Sequence, residues 1–415
     1  MPLIIKLSWR NIWRNWRRSA ITIAAIVFAA FLTIFMRGIQ LGTYDNNIKY
    51  VLGIFSGSLQ IQRRDYKENP SLRKSIDLSD EIKTILRNNS KITAYTERIN
   101  TEGLIGYNDN TQGTAIFGID PVTEQKVTTL AMKIKSGKFF QADSKYEIIL
   151  GYKLLKNLQA KIGDSIVVLT NAYDGSMGNA KFKIIGASRL GSPDMDQMTA
   201  FIPLAAAREL LSLDTKISAV AIACADVKDI PFVKNELQEK LKSIKLPKGK
   251  SLTALDWGDI MPEFKQSIEF DNASGIIYLG LLIIIVAFGI LNTVIMSVTE
   301  RFREFGIMLA IGIKHSRLIL IVFLETVYLT IIGLIIGNII GYIVNYYIYL
   351  HPITFSGELS KMYEEFGFLP QMFASLEPGI FINTSITVII VAVVVFIYPA
   401  FRISRLEALK GIRYT

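Results

Sequence analysis

Residues 276–296 read IIYLGLLIIIVAFGILNTVIM and contain no charged side chain. A helix of about 20 apolar residues crosses the ~30 Å hydrocarbon layer of a membrane, so this stretch predicts a membrane span. Three further stretches of similar length and composition occur in the chain. Together they predict spans at residues 20–40, 272–296, 318–345 and 379–401, and hence a membrane α-helical protein with four transmembrane helices.

The composition agrees with this prediction. Half of the 415 residues are apolar and the mean hydropathy is +0.34, a balance that soluble proteins do not show. Cys224 is the one cysteine, which excludes an intramolecular disulfide framework and a cysteine metal cluster. The two histidines, His315 and His351, lie far apart with no cysteine partner nearby. We therefore expect no catalytic residue, no metal site and no bound cofactor in this chain.

Basic residues at the ends of the spans predict the orientation, because lysine and arginine in short loops stay on the cytoplasmic side. Thirteen basic residues flank the spans on one side, and the last four of them belong to the tail at 402–415. They are Lys6, Arg10, Arg14, Arg17, Arg18, Arg301, Arg303, Lys314, Arg317, Arg402, Arg405, Lys410 and Arg413. The loop at 346–378 is acidic by comparison. We predict that both termini lie in the cytoplasm. The net charge of +10 then indicates lipid headgroups and not nucleic acid.

Residues 1–19 precede the first span and predict an amphipathic helix. One stripe of this helix is apolar and consists of Ile5, Trp9, Ile12, Trp13 and Trp16. The other stripe is basic and consists of Lys6, Arg10, Arg14 and Arg17. Such a helix lies in the interface of the inner leaflet. The length of the arm and its tryptophans favour a retained anchor over a cleaved signal peptide.

Residues 41–271 change to short β-type runs and helices separated by turn residues, which predicts a large α+β domain outside the membrane, between the first two spans. Its charge is nearly balanced, with 31 basic and 28 acidic residues. The predicted strands are 58–62, 92–99, 113–119, 147–150, 165–169, 181–187, 199–202 and 219–224, and the predicted helices are 80–88, 152–158, 204–211 and 230–243. Asp194 and Asp196 suggest either a paired carboxylate site or a polar turn. Gly249-Lys250-Ser251 lacks the spacing of a phosphate loop.

The run from Gly289 to Glu325, GILNTVIMSVTERFREFGIMLAIGIKHSRLILIVFLE, is the most specific feature of the chain. It resembles the segment between the second and third spans of the FtsX-like permeases, the ABC transporter superfamily that includes lipoprotein-releasing (Lol) and MacB-type exporters. The start LSWRNIWRNWRRSAITIAAI, the external runs EIILGYKLLKNLQAKIGDSIVVL and KFKIIGASRL, and the tail YPAFRISRLEALKG follow in the right order. The resemblance covers essentially the whole chain and implies a MacB-like periplasmic core domain after the first span.

Residues 297–317 place mixed charge beside apolar side chains, with the candidate coupling residues Glu300, Arg301, Phe302, Arg303, Glu304 and Phe305. Phe302, Phe305 and Met308 have the spacing of one helix face. This pattern alone leaves two readings open, a helix that docks into a partner's groove or a solvated loop. The resemblance implies the first, a coupling helix on a cytoplasmic ABC ATPase dimer.

The sequence contains no Walker A motif, so we expect ATP and Mg²⁺ to bind a separate ATPase subunit and expect this chain to be a permease rather than an enzyme. MacB-type exporters carry their ATPase domain ahead of the first span, where this sequence has 19 residues. This difference favours a Lol-like or another split arrangement.

Gly333, Gly337 and Gly341 recur every four residues in the third span and predict a groove for close helix packing. The groove can meet a second permease subunit, identical or homologous, or a neighbouring span of the same chain. Glu325 lies in the same span and should face protein or water, because an unpaired charge in lipid is costly. We expect it to form structural hydrogen bonds, with proton transport as the alternative role.

Two sets of residues are candidate contacts for a transported lipoprotein. The loop at 170–180, with Thr170, Tyr173, Asp174 and Met177, has the position at which one Lol permease carries a hook for the periplasmic lipoprotein carrier. An ordinary hairpin tip is the alternative. Five residues near the outer ends of the first two spans are candidate contacts for an acyl chain: Phe31, Phe35, Met36, Ile277 and Leu281. Contact with bulk lipid is the preferred alternative for them.

The resemblance thus implies a permease subunit, working as a dimer, that couples cytoplasmic ATP hydrolysis to motion of its periplasmic domain. Extraction of lipoproteins from the inner membrane is the expected task. The alternatives are a MacB-like efflux component and an FtsX-like mechanical signaller that activates cell-wall hydrolases.

Overall fold

The computed structural model describes residues 2–14, 16–191, 193–244, 250–365 and 368–407. Lys410 and Arg413, which we counted for the orientation, lie outside these ranges, and so does Gly249. The chain divides into two compact units. The first comprises Met1–Tyr44, Ile268–Thr354 and Gln371–Thr415, and the second comprises Asp45–Ser267 and Phe355–Pro370.

The helices and strands follow in chain order. The helices are α1 Pro2–Arg14, α2 Trp16–Val51, α3 Asp80–Arg87, α4 Pro121–Val127, α5 Tyr152–Asn157, α6 Pro193–Met198, α7 Leu204–Leu210, α8 Ile230–Leu241, α9 Trp257–Ile260, α10 Pro262–Glu300, α11 Phe302–Ala310, α12 His315–Leu350, α13 Glu358–Glu365 and α14 Pro378–Ser404. The strands are β1 Leu59–Arg63, β2 Ile76–Asp77, β3 Ile92–Tyr107, β4 Asn110–Ile119, β5 Ile134–Gly137, β6 Glu147–Gly151, β7 Ser165–Asn171, β8 Met177–Ser188, β9 Thr199–Pro203, β10 Lys216–Ile217, β11 Ala219–Cys224, β12 Leu252–Asp256, β13 Ile353–Thr354 and β14 Gln371–Met372.

Four of the described helices, α2, α10, α12 and α14, are long and apolar enough to cross a membrane. They coincide with the four predicted spans. Two of them extend well past the apolar run. α2 continues to Val51 although the run ends near residue 40, and α10 begins at Pro262. The extension is possible because helical backbone hydrogen bonds do not require apolar side chains. Both α2 and α10 contain a boundary between the two units.

The third span, α12, is the most enclosed of the four. Of the 18 most apolar consecutive residues of α12, 44% are buried, compared with 11% of the corresponding residues of α10. α12 packs against α14 and against α1, where Ser8 Oγ donates a hydrogen bond to the Ile321 carbonyl oxygen at 3.1 Å. The apolar core of this unit includes Ile26, Ala30, Val294, Phe305, Leu318, Val322 and Phe396. α12 is therefore the helix around which the first unit is assembled.

The glycines of α12 lie against α2 of the same chain. A Cβ atom on Gly337 would lie 2.7 Å from Ala30 Cβ, and one on Gly333 would lie 2.6 Å from a methyl group of Ile26. Gly341 meets Ile34 in the same way. This close approach uses the groove within the chain, in place of the seam with a second permease subunit that the spacing also allowed.

The second unit is built on one ten-stranded sheet that partly closes on itself. β3 pairs with β4, β4 with β9, β9 with β6, β6 with β8, β8 with β7, and β7 with β3 again. These six strands form a closed ring, which leaves no free edge between them. The first half of β3 also pairs with β11, and β1 and β12 extend the sheet from there.

β3 joins the two parts of this sheet and is longer than predicted, because the sequence pattern of 92–99 breaks at glycines. At Gly103 the strand comes so close to β7 that a Cβ atom would lie 2.6 Å from the Leu169 carbonyl oxygen. The glycine therefore permits ring closure and does not end the strand. The other predicted strands and helices of this domain all have a counterpart in the structure. The elements without a predicted counterpart are β2, α4, β5, α6, β10, β12 and α9.

Candidate coupling site

A short helix separates the second span from the third. The second span ends at Glu300, Arg301 adopts a non-helical conformation, and α11 begins at Phe302. α11 ends before Gly312, whose φ of +91° is in the left-handed region that favours glycine. We call α11 the coupling helix.

Arg301 is buried at the start of the coupling helix. Its Nη1 atom donates to both carboxylate oxygens of Glu325 on α12, at 2.9 and 3.1 Å, and its Nε atom donates to Glu304 Oε2 at 3.2 Å. The guanidinium carbon lies 5.1 Å from the ring centroid of Phe305, which is fully buried. As expected for a charge in a span, Glu325 meets protein, and its partner is the arginine of the coupling helix.

The N-terminal helix α1 contacts the same carboxylates. Asn11 Nδ2 donates to Glu325 Oε1 at 2.6 Å, and Arg14 Nη2 donates to both oxygens of Glu304 at 3.0 Å. Arg18, at the start of α2, pairs with Glu300. Partial burial of Glu304 opposes its ionisation, but hydrogen bonds from Arg14 and Arg301 outweigh this effect, so the pKa of Glu304 is below its ordinary value.

A small cavity of about 40 Å³ adjoins this network. Asn11, Arg301 and Glu325 line it together with the hydroxyl-bearing residues Ser19 and Ser297. Apolar atoms form the larger part of the lining, and the cavity has room for an ordered water beside the polar groups. The buried charges are thus not tightly packed on every side.

The structure separates the six candidate coupling residues into two groups. Arg301 and Phe305 are buried within the chain and Phe302 is half-buried, whereas Glu300, Arg303 and Glu304 are exposed. The apolar face of Phe302, Phe305 and Met308 is directed at the chain's own core and not at a partner. The helical spacing was correct, but spacing does not distinguish an internal from an external contact.

The exposed large apolar residues of this segment are two isoleucines that the sequence pattern did not single out. Ile307 is 49% exposed and Ile311 is 74% exposed. They follow Arg303 at intervals of four residues, so the three side chains lie along one side of the segment. We call Arg303, Ile307 and Ile311 the exposed stripe.

Sequence reasoning also missed Asn11, Arg14 and Arg18 as partners of this segment. A signal was present, because the basic arm before the first span and the acidic residues Glu300 and Glu304 were both assigned to one side of the membrane. Opposite charges on one side could have been paired, but the register of the pairs depends on the packing of α1 on α12.

The loop expected to contact a lipoprotein carrier is a hairpin whose turn is shorter than the predicted 170–180. Thr170 is buried in β7, and the Tyr173 hydroxyl accepts a hydrogen bond from Lys216 Nζ at 2.8 Å. Asp174 is exposed and accepts from the Ser176 backbone N–H and hydroxyl, which holds the turn and lowers the pKa of Asp174. Met177 is 70% exposed. Asp174 and Met177 are therefore the accessible members of this set.

The candidate acyl-chain contacts lie on two helices of the first unit. Phe31 and Phe35 stack on α2 with their ring centroids 5.7 Å apart. Met36 on α2 and Ile277 and Leu281 on α10 are exposed. In the described parts of the chain, no group of three or more His, Cys, Asp or Glu side chains is placed to hold a metal ion.

Comparison with known families accounts for both units. Residues 19–240, more than half of the chain, match the MacB-like periplasmic core domain, and residues 276–408 match the FtsX-like permease C-terminal domain. The chain belongs to the FtsX-like ABC transporter permeases. The coupling helix, the α12 glycines and Glu325 all lie in the FtsX-like part, and the closed ring of strands lies in the MacB-like part.

Relatives of this FtsX-like permease include two kinds of transporter component. The lipoprotein-releasing system transmembrane protein LolC of Neisseria meningitidis serogroup B is 24% identical over 70% of this chain and 71% of its own length. The macrolide export ATP-binding/permease protein MacB of Bdellovibrio bacteriovorus is 22% identical over 76% of this chain and 50% of its own length. The crystal structure of the periplasmic region of MacB from Actinobacillus actinomycetemcomitans is 17% identical, with a TM-score of 0.37 over 54% of this chain and 98% of that chain.

Proposed function

We propose that this permease works as a dimer with a separate dimeric ATPase and extracts lipoproteins from the outer face of the bacterial inner membrane. ATP and Mg²⁺ bind the ATPase, both termini of the permease lie in the cytoplasm, and the MacB-like domain lies in the periplasm. The orientation is supported by the basic residues that flank the spans. The lipoprotein substrate is supported by the LolC relative, which is matched over about 70% of both chains.

The exposed stripe is the observation that carries the ATPase contact. A 74% exposed isoleucine at the end of a short helix has little reason to face water, and Arg303 beside it supplies a charge that fixes the orientation of a partner. Because Arg301 and Phe305 are occupied within the chain, we assign docking on the ATPase to Arg303, Ile307 and Ile311. This assignment replaces the one that the sequence suggested.

Docking is tested by Ile311→Glu. The side chain is exposed, so the substitution should leave the permease folded, while a charge at the centre of an apolar contact opposes binding. We expect the amount of ATPase that co-purifies with the tagged permease to fall by about tenfold or more, which corresponds to about 1.4 kcal/mol.

The matched control is Met132→Glu, which places the same charge on a side chain that is 81% exposed in the second unit. It should retain the ATPase as the wild type does. Equal retention by Ile311→Glu and by Ile307→Glu would exclude the exposed stripe as the docking face.

The further components should show which transport task is performed. Co-purification of a lipoprotein or a periplasmic carrier supports extraction, and we expect a carrier to contact Asp174 and Met177 at the hairpin turn. Acyl chains are expected beside the exposed Ile277 and Leu281. Recovery of a cell-wall hydrolase instead would make the protein a mechanical signaller.

Efflux is the second candidate function, and the MacB relative favours it, because the match covers 76% of this chain. An efflux complex should contain an outer-membrane channel and an adaptor. A complex that holds both of these and no lipoprotein would replace extraction by efflux.

A further inference from the structure

We propose that Arg301, Glu325 and Asn11 form a joint that holds the coupling helix rigidly against α12 and α1. Displacement of the coupling helix is then passed to the third span without slippage. The three residues act as positioning residues, since none of them lies in the exposed stripe. This inference rests on the proposed coupling to an ATPase for its purpose, but the rigidity of the joint is a property of the chain alone.

The geometry of the contacts supports a joint. Arg301 lies in the break between α10 and α11, where the chain changes direction and a helix end could pivot. One Arg301 nitrogen contacts both oxygens of Glu325, and a second nitrogen contacts Glu304 one turn further along the coupling helix. Two directed contacts from one planar guanidinium resist rotation better than a single contact does.

Asn11 extends the joint to a third helix. Its amide nitrogen lies 2.6 Å from the Glu325 oxygen that also accepts from Arg301. α1 is held on α12 one turn away by Ser8 and by Trp9, whose ring meets Tyr328 edge-on at 5.6 Å. Glu325 is thus the point at which the coupling helix, the third span and the N-terminal helix meet.

Stability alone is a weak explanation for this ion pair. A buried ion pair is often no more stabilising than apolar side chains of similar volume, because removing two charges from water is costly. The cavity beside the pair also leaves out packing contacts that larger apolar side chains would make there. What the ion pair adds over apolar packing is a defined direction, which a helix that must transmit movement requires.

The glycine contact gives the joint an onward path within the same unit. α12 carries Glu325 near its start and the three glycines further along, where Ala30 and Ile26 of α2 pack closely. Movement imposed at Glu325 therefore acts on a helix that is in close contact with the first span. Packed helices of this kind move as rigid bodies rather than bend.

The joint is tested by distance measurement in the full-length chain. With Cys224 replaced by serine, cysteines at Ala310 on the coupling helix and Ile335 on α12 are labelled with nitroxides, since both positions are exposed. The labelled chain is diluted with an excess of unlabelled permease, so that double electron–electron resonance gives the distribution of distances between the two labels of one chain. We expect one narrow distribution in the wild-type background, which stays unchanged when the ATPase complex is trapped with ATP and vanadate.

Glu325→Gln and Asn11→Ala should each broaden this distribution, the first more than the second. They should also abolish the ATP-induced change in mobility of a single label at Ile335 while the change at Ala310 is retained. Glu300→Gln is the matched control, because it makes the same substitution in the same segment but breaks the more exposed pair with Arg18. It should leave the distribution narrow.

The outcomes separate this inference from the proposed function. A broadened distribution in the permease alone supports the joint even if no ATPase is recovered, whereas missing ATPase refutes the proposed function. An unchanged distribution in Glu325→Gln overturns the joint. If Glu325→Gln does not fold, Asn11→Ala decides the matter, since it leaves the ion pair in place and an unchanged distribution there overturns the joint equally.

Discussion

The two units of this permease each contain a buried arginine–glutamate pair, and the two pairs are built differently. In the second unit, Arg98 on β3 and Glu124 on α4 have side chains that are each 1% exposed. Arg98 Nη2 and Nε lie 2.5 and 3.1 Å from the two Glu124 oxygens, and the Thr128 hydroxyl donates to Glu124 Oε1 at 2.7 Å. In the first unit, Arg301 and Glu325 are 7% and 10% exposed.

The difference lies in what each pair is connected to. The pair of Arg98 and Glu124 is enclosed by its own strand and helix. The pair of Arg301 and Glu325 continues through Glu304 to Arg14, whose side chains are 46% and 47% exposed. An enclosed pair fixes one strand and one helix of a domain against each other, and breaking it leaves a buried charge. A pair that continues to the surface of the coupling helix fits the transmission of movement proposed above. The same arginine–glutamate pair thus has different consequences in the two units, because its neighbouring residues differ.

The largest effect on stability is expected for Glu124→Gln. The substitution removes the carboxylate charge that pairs with the fully buried Arg98, and breaking a buried ion pair in this way costs about 3–5 kcal/mol. For a domain of this size such a loss lowers the unfolding temperature by about 10 °C. The measurement is thermal unfolding of the full-length chain, in which proteolysis of the MacB-like domain reports the temperature at which that domain unfolds.

Its control is Glu209→Gln, which removes the exposed pair with Lys145 and should change the unfolding temperature little. If both substitutions had the same small effect, the Arg98 pair would not be the enclosed stabilising contact described above.

An intermediate effect is expected for Arg301→Met. Glu325 would keep its hydrogen bond from Asn11, and the adjoining cavity can admit water to the buried carboxylate that has lost Arg301, so we expect a loss of about 2 kcal/mol in the first unit. The same thermal unfolding experiment measures it in detergent. A loss as large as that of Glu124→Gln would show that this pair is as enclosed as the other, and the comparison would fail.

The smallest effect is expected at the exposed end of the network. The pKa of Glu304 is lowered in the folded protein, so its ion pairs stabilise the fold above the unfolded pKa of about 4.3 and this contribution is lost as the pH falls through the lower folded value. Because the side chain is almost half exposed, we expect less than about 1 kcal/mol for Glu304→Gln near neutral pH.

The difference between wild type and Glu304→Gln should vanish on acidification and shrink at high salt. Unfolding followed across the acid range measures both dependences. A difference that persists unchanged in strong acid would mean that the carboxylate of Glu304 is not the source of the effect.

Much of the fold follows from local properties of the sequence. The four spans are predictable because the length of an apolar run is compared with the thickness of a membrane, which needs no knowledge of neighbours. The strands of the MacB-like domain are predictable for a related reason, since alternation and β-branched residues act within a few positions. Gly333, Gly337 and Gly341 predicted a groove because small residues at that spacing always form one on a helix.

The sequence left alternatives for the contacts that the residues of the site make. The glycine groove could face a second subunit, and the structure places Ala30 of the same chain in it. Phe305 could be an anchor for a partner, and it is fully buried in the chain's own core. Helical periodicity identifies a face and is silent on what covers it.

The ring of strands and the joint at Glu325 were decided by tertiary structure alone. From the sequence alone, Gly103 predicts the end of a strand. In the structure it is the residue that permits β7 to pack closely against β3, so that the ring closes. Asn11 and Glu325 are 314 positions apart, and their contact exists because α1 packs on α12. The sequence by itself determined the elements, since these depend on neighbouring residues; the tertiary structure decided the partners, since those depend on residues that are distant in the chain.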